Sequence, residues 1–232
     1  ICASAMITLT TAFFLVTGLI AVTWLAFRDH GQLRTSRRSI LDTSAALLDR
    51  PELTHGGDDF PSLSGSRNGM RVHATLVPDT MTIRRLPQLW LSLTRFETRA
   101  DTAEFAILVR PAGTEFYSLT AQYDLRLETP AGFPDEVLIR GGGPNAQALL
   151  ARTAPTLARL LRDPKVKEVA ITAKGLRLVW QASEGRRGEH LLLRQCVFDD
   201  AEVRPQDFKE LLDWMDALST AASDQRHERL AS

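Results

Sequence analysis

The sequence predicts an α+β protein: an N-terminal transmembrane helix, then one domain of antiparallel strands with two amphipathic helices packed on the sheet. Three observations carry this reading. Residues 5–27 hold no charged side chain, the middle of the chain alternates apolar and polar residues in short runs, and two later stretches repeat apolar residues at helical spacing.

The run from Ala5 to Phe27, AMITLTTAFFLVTGLIAVTWLAF, comes first. As a helix it measures roughly 34 Å, enough to cross a hydrocarbon core of about 30 Å with every backbone group satisfied internally. Trp24 and Phe27 fall where an aromatic belt belongs, and Gly18 and the threonines are tolerated in a span. No basic residue precedes the run, whereas Arg28, Arg34, Arg37 and Arg38 follow it. The positive-inside rule then places the C-terminal side in the cytoplasm. A cleaved signal peptide carries its basic residues on the other flank and has a shorter apolar core. The expected location is a bacterial inner membrane, the bacterial origin resting on the excess of arginine over lysine. Arg34, Arg37 and Arg38 are candidates for contact with anionic lipid head groups, each worth about 1 kcal/mol near the surface. Their plainer role is to set topology.

Residues 28–69 read as a basic juxtamembrane segment and a flexible linker. RSILDTSAALLDRP, 38–51, spaces Ile40, Leu41, Ala45, Leu47 and Leu48 as a short helix that Pro51 stops. PELTHGGDDFPSLSGSRNG, 51–69, is rich in Gly, Pro and Ser and has no period. His55, Asp58 and Asp59 within it hint at metal ligation, but a loose linker supplies no rigid shell to hold ligands.

Residues 70–219 are expected to form the soluble domain, and 220–232 a disordered tail. RVHATLV, QLWLSLT, AEFAILV, YDLRLE and EVLIR alternate with period two between Pro and Gly turns, as a meander with one buried face. NAQALLARTAPTLARLL follows as a helix that Pro155 kinks or breaks. VKEVAITAKGLRLVWQA reads as a hairpin turning at AKG, and HLLLRQCVF as a further strand. Phe208, Leu211, Leu212, Met215 and Leu218 then line one face of a last helix, with Pro205 in its first turn.

Chemistry is sparse by comparison. The chain has 232 residues with 28 basic and 28 acidic side chains, so no long-range field attracts nucleic acid. Two cysteines without a CxxC pair argue against a disulfide framework or a zinc knuckle. LIRGGGPNAQALL, 138–150, resembles a phosphate loop, and Gly141, Gly142, Gly143 and Asn145 are its candidate ligand-binding residues. It lacks the lysine and hydroxyl of GxxxxGK[ST], and Ala146 stands where GxGxxG needs its last glycine. A structural corner is the simpler account. Cys196, with His190 and Arg194 on its strand face, is better read as a small buried hydrophobe than as a nucleophile. His73 has no acidic neighbour in sequence, Glu184 and Glu189 bracket a polar loop, and Arg84, Arg85, Arg186 and Arg187 read as solvated turns.

No catalytic residue, metal or cofactor is expected, and the protein leans away from being an enzyme. The expected function is a single-pass membrane-anchored protein whose domain serves as a protein-interaction or assembly module at the cytoplasmic face. Its expected partners are the membrane, through Ala5 to Phe27, and another protein. The alternative is a membrane-tethered ligand-sensing or enzymatic domain of unrecognised type.

Overall fold

The computed structural model describes residues 16–21, 23–24, 28, 31, 33–57, 59–80, 86–99, 102–185, 198 and 201–223. Residues 16–21, 23–24, 28, 31 and 33–38 are helical, and no helix among the described residues is long and apolar enough to cross a membrane. Most of the Ala5–Phe27 run lies outside them, as does the expected strand 190–198 apart from Phe198.

The strands are β1 (Asp49–His55), β2 (Pro61–Arg67), β3 (Met70–Asp79), β4 (Gln88–Phe96), β5 (Glu104–Val109), β6 (Leu125–Arg126), β7 (Val137–Gly142), β8 (Val166–Thr172) and β9 (Gly175–Glu184). The helices are α1 (Asp42–Ala45), α2 (Ala146–Leu160) and α3 (Pro205–Ser223), with a 3-10 turn at Leu119–Gln122. One sheet takes the order β1-β2-β3-β4-β9-β8-β5-β7-β6, and every neighbouring pair is antiparallel. The architecture is α+β, with the two long helices on one face of the sheet.

That face follows from the alternation. Leu89, Leu91 and Leu93 of β4, Phe105, Ile107 and Val109 of β5, and Leu176, Leu178 and Trp180 of β9 are buried in one cluster with Leu149, Leu150 and Leu157 of α2 and Phe208, Leu211 and Met215 of α3. Apolar side chains at period two on strands and about 3.6 on helices meet only when the layers stack. Pro155 does not break α2, which runs through it as one helix. Pro155 and Ala151, one turn before it, lie on the exposed side of the helix, while Thr153, Leu157 and Leu160 hold both halves to the core.

Three expectations need correction. The stretch 51–69 is not a linker, since its first part belongs to β1 and the next to β2, which extend the sheet beyond β3. β1 is an edge strand, where Pro51 removes no ladder bond that a central strand would need, and a bulge at Asp49–Glu52 carries Arg50 at φ 49°. The helix expected at 38–51 shrinks to α1, and its apolar residues enter the core: Ile40 and Leu41 are buried, Ser44 Oγ donates to the Val203 carbonyl at 2.8 Å, and the Val203 N–H donates to the Ile40 carbonyl. The meander stops at β4. The β8–β9 hairpin inserts between β4 and β5, so β4 pairs with β9 and β5 with β8 and β7. A smaller difference is that α3 runs to Ser223, past the expected end at Ser219, because Ala222 is buried against the core.

Candidate functional site: the strapped face of the sheet

The face of the sheet away from the helices was expected to be solvated, yet β5, β8 and the first half of β9 are buried on both sides. The cover is residues 110–124, which leave the end of β5 and cross toward β6. Two small clusters seat it: Tyr117 on Trp90 and Val179, and Tyr123 on Ala106 and Ala170. The Trp90 and Tyr117 rings lie 5.9 Å apart, and Phe116 meets Tyr117 edge-on while 61% of its own surface stays exposed.

Charged side chains do the rest of the fastening. A bulge between Val166 and Glu168 turns two adjacent charged residues, Lys167 and Glu168, to this one face. Lys167 Nζ donates to the carbonyls of Val109 and Arg110 and, at 2.8 Å, to the Glu115 carboxylate. Fully buried Glu168 accepts from the Leu119 N–H at 3.0 Å and pairs with Arg177 at 3.2 Å. Arg177 also donates to the Tyr117 carbonyl at 2.7 Å and to Ser92 Oγ at 3.1 Å. Burial pushes the Glu168 carboxyl up, against the pull of Ser118 and Arg177. Burial pushes Glu115 the same way, but there the Lys167 bond and backbone N–H donors prevail and hold it low. The Tyr117 hydroxyl is buried with no hydrogen-bond partner among the described residues, and burial together with Asp79, Glu115 and Glu168 raises its pKa far above the ordinary value. Such a cluster offers charged donors, a carboxylate that resists ionisation and an aromatic floor.

The glycine candidates lie elsewhere and are closely packed. Gly141 and Gly142 end β7, Gly143 turns at φ 85°, and Asn145 precedes α2 without a side-chain cap. A Cβ at Gly141 would stand 2.8 Å from both the Glu104 carbonyl and Leu127 Cδ1. At Gly142 it would stand 3.2 Å from the Tyr123 ring, and at Gly143 3.0 Å from the Thr102 carbonyl. These contacts are those of a tight corner between strand and helix.

The three arginine candidates all engage the domain. Arg34 Nε and Arg38 Nη2 bind Asp59 at 2.6 and 2.7 Å, and Arg37 lies over the Phe60 ring at 5.2 Å. Those two arginine hydrogen bonds draw the Asp59 carboxyl down from its ordinary 3.8 to about 2. A lowered carboxyl contributes stability that is present above pH 3.8 and is lost as pH falls through about 2. Asp59→Asn should therefore free the 33–38 helix at any pH. Limited trypsin digestion at pH 8 is expected to cut after Arg34 and Arg38 faster in the variant, and unchanged cleavage would refute the clamp.

Other candidates are accounted for one by one. His55 Nε2 faces the Arg38 carbonyl at 3.3 Å, Asp58 lies outside the described residues, and no cluster suited to a metal exists among those described. His73 Nδ1 meets Ser64 Oγ at 2.9 Å, and burial lowers its pKa. Glu184 accepts from Gln88 at 3.0 Å. Cys196, His190, Arg194, Glu189 and the arginine pairs at 84–85 and 186–187 lie outside the described residues. Sequence reasoning missed Glu115, Tyr117, Lys167, Glu168 and Arg177. The one signal available was the adjacent pair Lys167–Glu168 interrupting an apolar strand.

No family model matches the chain, and no curated protein matches it.

Proposed function

We propose that this is a single-pass membrane protein whose α+β domain acts as an interaction or assembly module at the cytoplasmic face of a bacterial inner membrane. The observation that carries the reading is the uncharged run Ala5–Phe27, followed by Arg28, Arg34, Arg37 and Arg38. Val16, Leu19, Ile20 and Trp24 are helical and more than half exposed, as suits side chains whose natural surroundings are acyl tails. The engagement of Arg34 and Arg38 with Asp59 is compatible with orientation by positive charge, because acidic residues weigh little in that rule. The same ion pairs tie the helix behind the apolar run to the β1–β2 turn, so the domain sits close to the bilayer at a preferred angle.

Carbonate extraction of membranes should leave the full chain in the pellet, and release into the supernatant would refute the anchor. A reporter fused after Ser232 should be active in the cytoplasm only. Affinity purification in mild detergent should then retain a partner protein. The second reading, a ligand-sensing or enzymatic domain of unrecognised type, is favoured by one observation: the buried charged groups beneath residues 110–124.

A further inference from the structure

The segment 110–124 is held to the sheet in an unusual way for a covering loop. Its apolar seats are few, Tyr117, Leu119 and Tyr123; Arg110 and Arg140 fasten its two ends, and the anchors beneath its middle are Lys167, Glu168 and Arg177. All three of those anchors grip main-chain atoms, the Arg110 and Tyr117 carbonyls and the Leu119 N–H, as side chains do when they hold a bound peptide. Closure is also imperfect: it buries the Tyr117 hydroxyl with no partner among the described residues and leaves Phe116 facing solvent. At its start, Arg110 sits at φ 50° and Gly113 at φ 79°, two joints in the left-handed region within four residues. Lifting the segment removes Glu115 and exposes two cations, Lys167 and Arg177, against the one carboxylate of Glu168, with the Trp90 ring beside them. Asp79, 3.5 Å from the indole nitrogen, is a second buried carboxylate near the Tyr117 hydroxyl, so the carboxylate a partner brings is recognised by Lys167, the cation that Glu115 leaves.

We propose that residues 110–124 form a lid over a peptide-binding site, and that Glu115 and Tyr117 occupy in cis the places a partner's carboxylate and aromatic side chain take in trans. The site binds an acidic, turn-forming peptide, since Glu115 to Ser118 is itself closed by a Ser118 N–H to Glu115 carbonyl bond. The choice of a peptide rests on the interaction-module reading, whereas the lid motion does not.

Hydrogen exchange on the full chain in detergent tests the lid first. Amides of 114–123 are expected to exchange at least about a hundredfold faster than those of β8, through an opening that leaves the sheet intact. Equal protection of the two segments overturns the proposal. The probe for the site is the chain's own strap sequence as a labelled peptide, PAGTEFYSL, residues 111–119. Glu115→Ala with Tyr117→Ala should bind it at least about tenfold more tightly than the native chain, and a peptide with glutamine for its glutamate should lose that gain. Glu115→Gln, which keeps the tyrosine seat, gives the same direction of change should the double variant not fold. A folded variant that takes up no more peptide than the native chain overturns the site. An empty detergent purification beside a mobile lid defeats the module reading alone, and a static lid beside a retained partner defeats the lid alone.

Discussion

Gly175→Ala is expected to remove most of the domain's stability, with a loss of about 4 kcal/mol or more in urea denaturation. Gly175 opens β9 at φ 138°, a region closed to residues with a Cβ. An added Cβ would overlap the Arg95 carbonyl oxygen and stand 2.9 Å from the Glu97 nitrogen, so backbone rather than a pliable side chain would have to yield. The turn cannot slide to make room. The Glu97 N–H donates to the Lys174 carbonyl, the Arg99 N–H to the Ala173 carbonyl, and the Ala173 N–H to Glu104 at 2.6 Å. Because the β8–β9 hairpin lies between β4 and β5, damage at its tip reaches both halves of the sheet. Exposed Lys174, one residue earlier, is the control: Lys174→Ala should stay within about 0.5 kcal/mol of the native chain. A Gly175→Ala protein as stable as that control would show that the hairpin adopts another geometry.

Phe208→Ala is expected to cost about 3–5 kcal/mol, and Phe208→Leu about 1 kcal/mol. Phe208 is fully buried in the first turn-and-a-half of α3 and belongs to the cluster that joins α2, α3 and the sheet. Truncation leaves a ring-sized void among side chains fixed by the sheet on one side and α2 on the other, so little collapse can fill it. The polar contacts of α3 cannot replace the ring. Asp216 with Arg95 and Arg67, and Ser219 with Glu97 at 2.7 Å, flank the helix–sheet contact, and all of them but Arg95 are partly exposed. A loss under about 1 kcal/mol for the alanine variant would mean that α3 is peripheral to the cooperative unit.

Some parts of the fold were legible because a single local period reported burial. The leucines of β4, the Phe105–Ile107–Val109 alternation and the stripe on α3 appear in the sequence as they pack in the structure. The AKG hairpin was legible because two strands joined by a two-residue turn contact one another whatever else the chain does. β1 and β2 were not. β1 at the sheet edge and β2 beside it bury little beyond Leu53, Pro61 and Leu63, so their Gly, Pro and Ser content outweighed the alternation. The strapped site escaped for a related reason: Glu115, Lys167, Glu168 and Arg177 carry the ordinary charges of exposed strand and loop positions. Only the crossing of 110–124 takes them out of water.

By itself the sequence determined the repeating facts of this protein: an uncharged N-terminal run, a basic flank, strands at period two, and two helices with one apolar face each. Tertiary structure alone decided which strands are neighbours, that residues 49–67 join the sheet, and that a second face is covered. The physical reason is range. Periodicity records how each residue relates to those a few places away, whereas strand order and the burial of Glu168 depend on segments some fifty residues apart in the chain meeting in space.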